Sequence, residues 1–208
     1  MWIKKRTSLL VFIGFIFMFL FVAQPIQAAE KAAQTPEEAY RQFLSEKVGH
    51  KKYFQIVNIG HKNAAALLVG KGEKEVVNGK ICFRDCKVYI FSGGQVKKMK
   101  AFKDYGGRLI SLREKNGKYY LCNGGSDFAS FYRVKNETVV TREYYNCHSG
   151  KGEDRVMKSV FKVNGKVTKD LGYLKASKYE KCRDSYKFVQ TAISFMKNTD
   201  ANRKSIVK

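Results

Sequence analysis

Acidic residues are scarce in this sequence: 18 Asp and Glu stand against 40 Lys and Arg in 208 residues. Between Cys86 and Cys147 the acids are Asp104, Glu114, Asp127, Glu137 and Glu143, too dispersed to nominate a glycosidase carboxylate pair. Tryptophan occurs once, at Trp2, so a cleaved leader removes the best stacking platform for a sugar. The three histidines, His50, His61 and His148, are too scattered for the converging ligands of a structural zinc site. No G-x-S-x-G, H-E-x-x-H or phosphate-loop pattern occurs, and no long apolar run follows Leu9–Ala23. No catalytic, cofactor-binding or metal-ligating residue is therefore nominated, and no cofactor is expected.

What is present begins with a targeting segment. Lys4, Lys5 and Arg6 precede the apolar run Leu9–Ala23, Pro25 breaks it, and Ile26-Gln27-Ala28 offers a small-residue cleavage site. Residues 1–28 are read as a signal peptide and 29–34 as a loose leader, so the protein is expected to be secreted or held at the cell surface. The run is shorter than the roughly 20 residues of a membrane span, and no Cys adjoins the cleavage point to carry a lipid. Residues 1–28 hold three basic residues and no acid, so the mature chain carries 37 basic against 18 acidic residues, a formal +19. Such an excess favours anionic polymers, although a Lys-rich surface alone also produces it. Lys outnumbers Arg 30 to 10, which argues against planar, bidentate phosphate recognition.

Residues 35–198 read as one mainly β domain with a helix at each end, an antiparallel meander of about seven to nine strands. Thr35-Pro36-Glu37-Glu38 is a capping box with proline at the first helical position. Ala39, Tyr40, Phe43, Leu44 and Val48 then recur at helical spacing until Gly49. Apolar and aromatic runs follow at Lys87–Phe91, Val96–Phe102, Arg108–Leu112, Lys118–Cys122, Phe128–Val134 and Thr138–Cys147. Gly and Asn clusters at 92–94, 105–107, 115–117, 123–125 and 135–137 separate them and supply the positive φ of hairpin turns. A further hairpin, Arg155–Val163 with Val167–Tyr173, is expected across Asn164-Gly165. Ser177–Glu180 resembles a second capping box, and Tyr179, Cys182, Tyr186, Val189, Ile193 and Met196 continue a helical spacing. That predicts a C-terminal helix of about five turns, with residues 199–208 as a polar tail. Tyr119-Tyr120-Leu121-Cys122 and Tyr144-Tyr145-Asn146-Cys147 echo each other, as equivalent strands of successive hairpins would.

Two apolar runs, within Phe54–Val69, flank Asn58-Ile59-Gly60-His61-Lys62-Asn63, and Val88–Val96 follows with a Gly-Gly turn. These blocks resemble the degenerate calcium-loop motif and Gly-rich hairpins of secreted and lipid-anchored clostridial proteins related to FG-GAP/VCBS repeats. The resemblance implies an exported bacterial β protein. Where that motif carries acids, this loop carries none and adds Lys62, so no calcium binding is expected there.

Five cysteines, Cys82, Cys86, Cys122, Cys147 and Cys182, leave at least one thiol unpaired in any monomeric scheme. Cys122 and Cys147, on strands separated by one other, would be about 9.6 Å apart, beyond disulfide reach. A Cys82–Cys86 bridge requires a tight turn at 83–85, and buried free thiols are the alternative. Lys98 and Lys100, two apart on an expected strand, are candidates for a basic surface face. The function expected is an exported, non-catalytic, envelope-associated module for an anionic surface polymer or glycan. The alternative is a secreted hydrolase whose site is assembled from residues distant in sequence.

Overall fold

Thr35 accepts the Glu38 N–H at 3.2 Å while its own N–H donates to Glu38 Oε2 at 3.0 Å. The capping box thus forms as expected and starts helix α1, Pro36–Lys47. The computed structural model describes residues 34–60, 65–102, 107–136, 139–150, 153–157, 161–170 and 172–206. The expected signal peptide and residues 61–63 of the Asn58–Asn63 loop lie outside the described residues.

Helix α1 is followed by hairpin β1 (Tyr53–Asn58) and β2 (Ala65–Lys71), then by the short ribbon β3 (Glu75–Val77) and β4 (Lys80–Cys82). Next come β5 (Asp85–Ser92) and β6 (Gln95–Lys98). A meander of β7 (Ser111–Lys115), β8 (Lys118–Gly124), β9 (Phe128–Lys135) and β10 (Val139–Gly150) continues the chain. Four short strands follow: β11 (Glu153–Met157), β12 (Phe161–Val163), β13 (Lys166–Lys169) and β14 (Tyr173–Lys175). Helix α2 (Ala176–Asp184), β15 (Lys187–Gln190), β16 (Met196–Lys197) and α3 (Asp200–Lys204) complete it. The fold is mainly antiparallel β with flanking helices.

One sheet has the order β16-β1-β2-β5-β6; the larger one runs β13-β12-β10-β9-β8-β7-β15, with β11 and β14 attached beyond β10. The two sheets share a core because each strand alternates its apolar residues between faces. Ala66, Leu68, Val88 and Ile90 of the first sheet meet Leu112, Leu121, Tyr132 and Val134 of the second. The opposite face of the first sheet, Phe54, Leu67 and Val69, is covered by Tyr40 and Leu44 of α1 and by Ile206. The opposite face of the second, Tyr120, Cys122, Phe131 and Tyr145, is covered by Tyr186 and Cys182. Burying each such side chain contributes on the order of 2 kcal/mol.

Three hairpin turns follow the sequence reading, and a fourth, between β3 and β4, has the same form. Asn78-Gly79, Asn116-Gly117 and Asn164-Gly165 all take positive φ at both positions, as does Gly93-Gly94. Asn123-Gly124 departs from it, because both residues belong to β8 rather than to a turn. A Cβ on Gly124 would stand 2.5 Å from the Phe128 carbonyl oxygen, and one on Gly107 would stand 2.4 Å from the Gly124 oxygen. These two glycines let backbones touch.

The strands are shorter and more numerous than seven to nine: sixteen occur among the described residues. Arg155–Val163 is divided between β11 and β12, both of which pair with β10. The C-terminal half of the chain shows the largest correction. Ser177 lies inside α2, which begins at Ala176, and the helix ends at Asp184 instead of continuing to Met196. Ser185 Oγ takes up the Cys182 carbonyl at 2.6 Å, and the chain then pairs with β7 along Lys187–Gln190. Ile193 and Phe195, two apart, enter the inter-sheet core in extended conformation. Sheet pairing overrides the helical spacing there. Residues 199–206 are not a frayed tail either: Thr199 caps α3, and Arg203 and Ile206 are buried.

Candidate functional site

The outer face of the second sheet carries polar groups among its aromatics. Register places Ser111, Cys122 and Phe131 in one row across β7, β8 and β9, with Glu143 of β10 next to Phe131. Arg113 and Tyr120 stand in the neighbouring row on the same face. The chain from α2 lays Tyr186 over this face, and the segment from Arg183 to Thr191 then continues through β15 as the edge strand beside β7. Tyr186 fastens it. Its ring stacks on Phe131 at 3.8 Å and meets Tyr120 edge-on at 5.0 Å. Its hydroxyl donates to Glu143 Oε2, which also accepts from the Tyr145 hydroxyl at 3.2 Å.

Between this segment and β7–β9 lies a cleft of about 570 Å³, which extends to the loop carrying Arg108. Among the described residues four arginines line it, Arg84, Arg108, Arg113 and Arg183, against one carboxylate, Asp184. Arg84 is committed to Glu75, with Nε at 2.5 Å from the carboxylate, and to the Gly107 carbonyl. Arg183 pairs with its neighbour Asp184 at 2.9 Å. Arg108 and Arg113 have no carboxylate within salt-bridge distance among the described residues.

Arg113 is held firmly. One terminal nitrogen donates to the Tyr186 carbonyl at 3.1 Å, and the guanidinium carbon lies 3.0 Å from the centre of the Phe188 ring. Its Nε has no hydrogen-bond partner among the described residues. Burial pushes the guanidinium below its ordinary value; Cys122 and Asp184 oppose that, while Arg183 and Arg108 push the same way. The cleft therefore disfavours positive charge yet concentrates it. Gly124, Gly125 and Ser126 form its far wall, where Arg108 N–H donates to the Gly124 carbonyl at 2.8 Å.

Cys122 lines the same cleft, but its thiol is poorly suited to nucleophilic work. Burial pushes it up to about 11, against the pull of Arg113, Ser111 and Arg108. It stays protonated at neutral pH.

The sequence candidates lie elsewhere. Lys98 ends β6 at the edge of the first sheet, and Lys100 falls in the turn beyond it, so strand alternation does not join the two. Both are exposed and neither lines the cleft. Cys82 and Cys86 are both buried, and no disulfide joins them. Residues 83–84 carry the chain from the β3–β4 ribbon into the first sheet instead of closing a hairpin. Cys122 and Cys147 do lie on strands separated by β9, as the echo implied. Cys147 and His148 lie outside the residues whose side chains are described. Among the described residues no group of three or more His, Cys, Asp or Glu side chains could hold a metal ion. No described helix is long and apolar enough to cross a membrane.

The arginines went unnoticed because composition averages over the chain. Arg is the minority base, 10 against 30 Lys, yet among the described residues four Arg and no Lys line the cleft. The available signal was the separation of the two residue types, not their ratio. Compared with family models, with curated proteins and with solved structures, the chain matches none.

Proposed function

We propose that the mature chain is an exported, non-catalytic binding protein that holds an acidic group of an envelope polymer in the arginine-lined cleft. The observation that carries this reading is the pairing pattern: among the described residues Arg84 and Arg183 have acidic partners, while Arg108 and Arg113 have none. A planar guanidinium suits two-point contact with carboxylate, phosphate or sulfate. The net positive charge of the chain adds long-range attraction without specificity. A hydrolase reading draws nothing from this cleft, since Cys122 is protonated and Asp184 is paired with Arg183.

The test is thermal stabilisation by citrate and by pyrophosphate at physiological ionic strength. Both anions are expected to raise the melting temperature of the mature protein. Arg108→Gln/Arg113→Gln is expected to abolish the rise, while Lys98→Glu/Lys100→Glu leaves it largely intact. Equal losses from both pairs would show that net charge alone matters and would remove the cleft from the account.

A further inference from the structure

The cleft does not stand alone. A second cleft of about 440 Å³ adjoins it, lined by Gln55, Lys80, Gln190, Thr191 and Ser194 among others. Phe188 and Thr191 line both. Phe188 is 55% exposed although its ring contacts Arg113 on one face. Since the guanidinium covers that face, the exposed area belongs to the other face and the edge of the ring. An apolar ring open to solvent thus stands between a cationic cleft and one lined by amide and hydroxyl groups with a single cation, Lys80.

We infer that the ligand is a linear acidic glycan that crosses Phe188, with an acidic group at Arg108 and Arg113 and the next sugar units in the second cleft. The inference rests on the anion-binding reading of the first cleft and adds the ligand's class and length. The apolar CH face of a pyranose ring packs on the open face of Phe188, as amphipathic rings do on aromatic surfaces. Sugar hydroxyls fit the Gln190, Thr191 and Ser194 groups, and a second acid fits Lys80. The charged substituent is a carboxylate or a sulfate, either of which can offer two oxygens to a guanidinium.

Two other polyanions fit less well. A peptide strand would add to the outer edge of β15, but the pairing register of β15 shifts between Phe188 and Gln190. Such irregularity blunts an edge against further pairing. Single-stranded nucleic acid is held on successive stacking aromatics, and here one exposed aromatic residue, Phe188, is shared by the two clefts.

The experiment is calorimetric titration of the mature protein with galacturonic acid and its oligomers of two to six units, at constant salt. Sulfated heparin oligosaccharides of matched length form a second arm, and oligoglutamate and oligothymidylate a third. Affinity is expected to rise with glycan length over the first few units and then level off. Phe188→Ala is expected to weaken the longer glycans about tenfold, the scale of one good aromatic contact, and Lys80→Ala by about two- to fivefold, the scale of an exposed ionic contact. Lys80→Ala, which does not line the first cleft, should leave citrate stabilisation unchanged. Phe188→Tyr should restore the length dependence, and the carboxylated and sulfated arms decide which acid is preferred. Citrate stabilisation without length dependence would overturn this inference and leave the anion-binding reading standing. No stabilisation by citrate or pyrophosphate would remove both. Equal binding of oligoglutamate or oligothymidylate, with the same loss in Phe188→Ala, would assign the surface to that polymer instead.

Discussion

The Tyr186 hydroxyl donates to Glu143, two residues separated by 43 positions in sequence and joined only by the fold. That contact ties the segment Arg183–Thr191 to the sheet face and so sets one wall of the arginine cleft. Tyr186→Phe keeps the ring stack on Phe131 and removes the hydroxyl, while the Tyr145 hydroxyl still donates to Glu143. A lost hydrogen bond to a charged group costs about 1.5–3 kcal/mol. For a chain of this length that lowers the melting temperature by roughly 3–10 °C. Citrate stabilisation should weaken in the same variant. An unchanged melting temperature would show that the contact is dispensable.

Asn198 closes the far end of α1. Its Nδ2 donates to the Val48 carbonyl at 2.7 Å and to the Leu44 carbonyl at 3.0 Å, while its Oδ1 accepts from Arg203 at 2.9 Å. Helix-end carbonyls normally find water or a local cap; here a fully buried side chain 150 positions away serves them. Asn198→Ala leaves these carbonyls and Arg203 without that partner in a buried place, and about 2–4 kcal/mol of stability should go. Chemical denaturation of wild type and variant checks this. A midpoint within error of wild type would mean that the C-terminal segment does not brace α1.

The contrast between Thr35 and Asn198 shows what could be read from the sequence and why. Thr35 caps α1 through a residue three positions on, so its signal is local and complete in four letters. The Asn-Gly turns are equally local, because positive φ is a property of the residue itself. Asn198 acts on residues far away in sequence, and no local pattern announces that. Val189, Ile193 and Met196 matched a helix because their spacing fits one, yet Lys187–Gln190 gains a ladder with β7 that a helix would forgo. The cleft is the extreme case. Arg84, Arg108, Arg113, Arg183 and Phe188 meet only after the meander has formed and the segment after α2 has crossed it.

Gly124 should be intolerant of a side chain. Its added Cβ meets backbone, the Phe128 oxygen at 2.5 Å and the Ala129 Cα at 3.2 Å, and backbone cannot swing aside as a flexible side chain can. Gly124→Ala therefore forces β8 and β9 apart at the wall of the cleft. The expected cost is about 1–3 kcal/mol, the usual range for overpacking, with weaker citrate stabilisation. Gly117→Ala is the comparison: that turn has open space, and its cost comes from positive φ alone, about 1 kcal/mol. Loss of citrate binding in Gly117→Ala and not in Gly124→Ala would contradict the placement of the wall.

Cys122 gives a dependence on pH whose direction is fixed by burial. Its thiol ionises near 9.0 when unperturbed and is pushed up to about 11 in the fold. Below pH 9 both folded and unfolded chains keep the proton, and the contribution of the neutral buried thiol is fully present. As pH rises from about 9 to about 11 the unfolded chain loses the proton first, so the folded state loses stability across that window. The size is about 3 kcal/mol at most, from 1.36 kcal/mol for each tenfold change in proton affinity. Lysines and tyrosines titrate in the same range, so the quantity to measure is the difference between wild type and Cys122→Ala. Cys122→Ala should lose less stability between pH 9 and 11 than wild type does. A second readout is alkylation by iodoacetamide at pH 8, mapped by mass spectrometry: Cys182, half-buried, should react ahead of Cys122. Equal alkylation rates, or parallel stability curves above pH 9, would mean that Cys122 reaches solvent as a thiolate, and the hydrolase reading of the cleft would return.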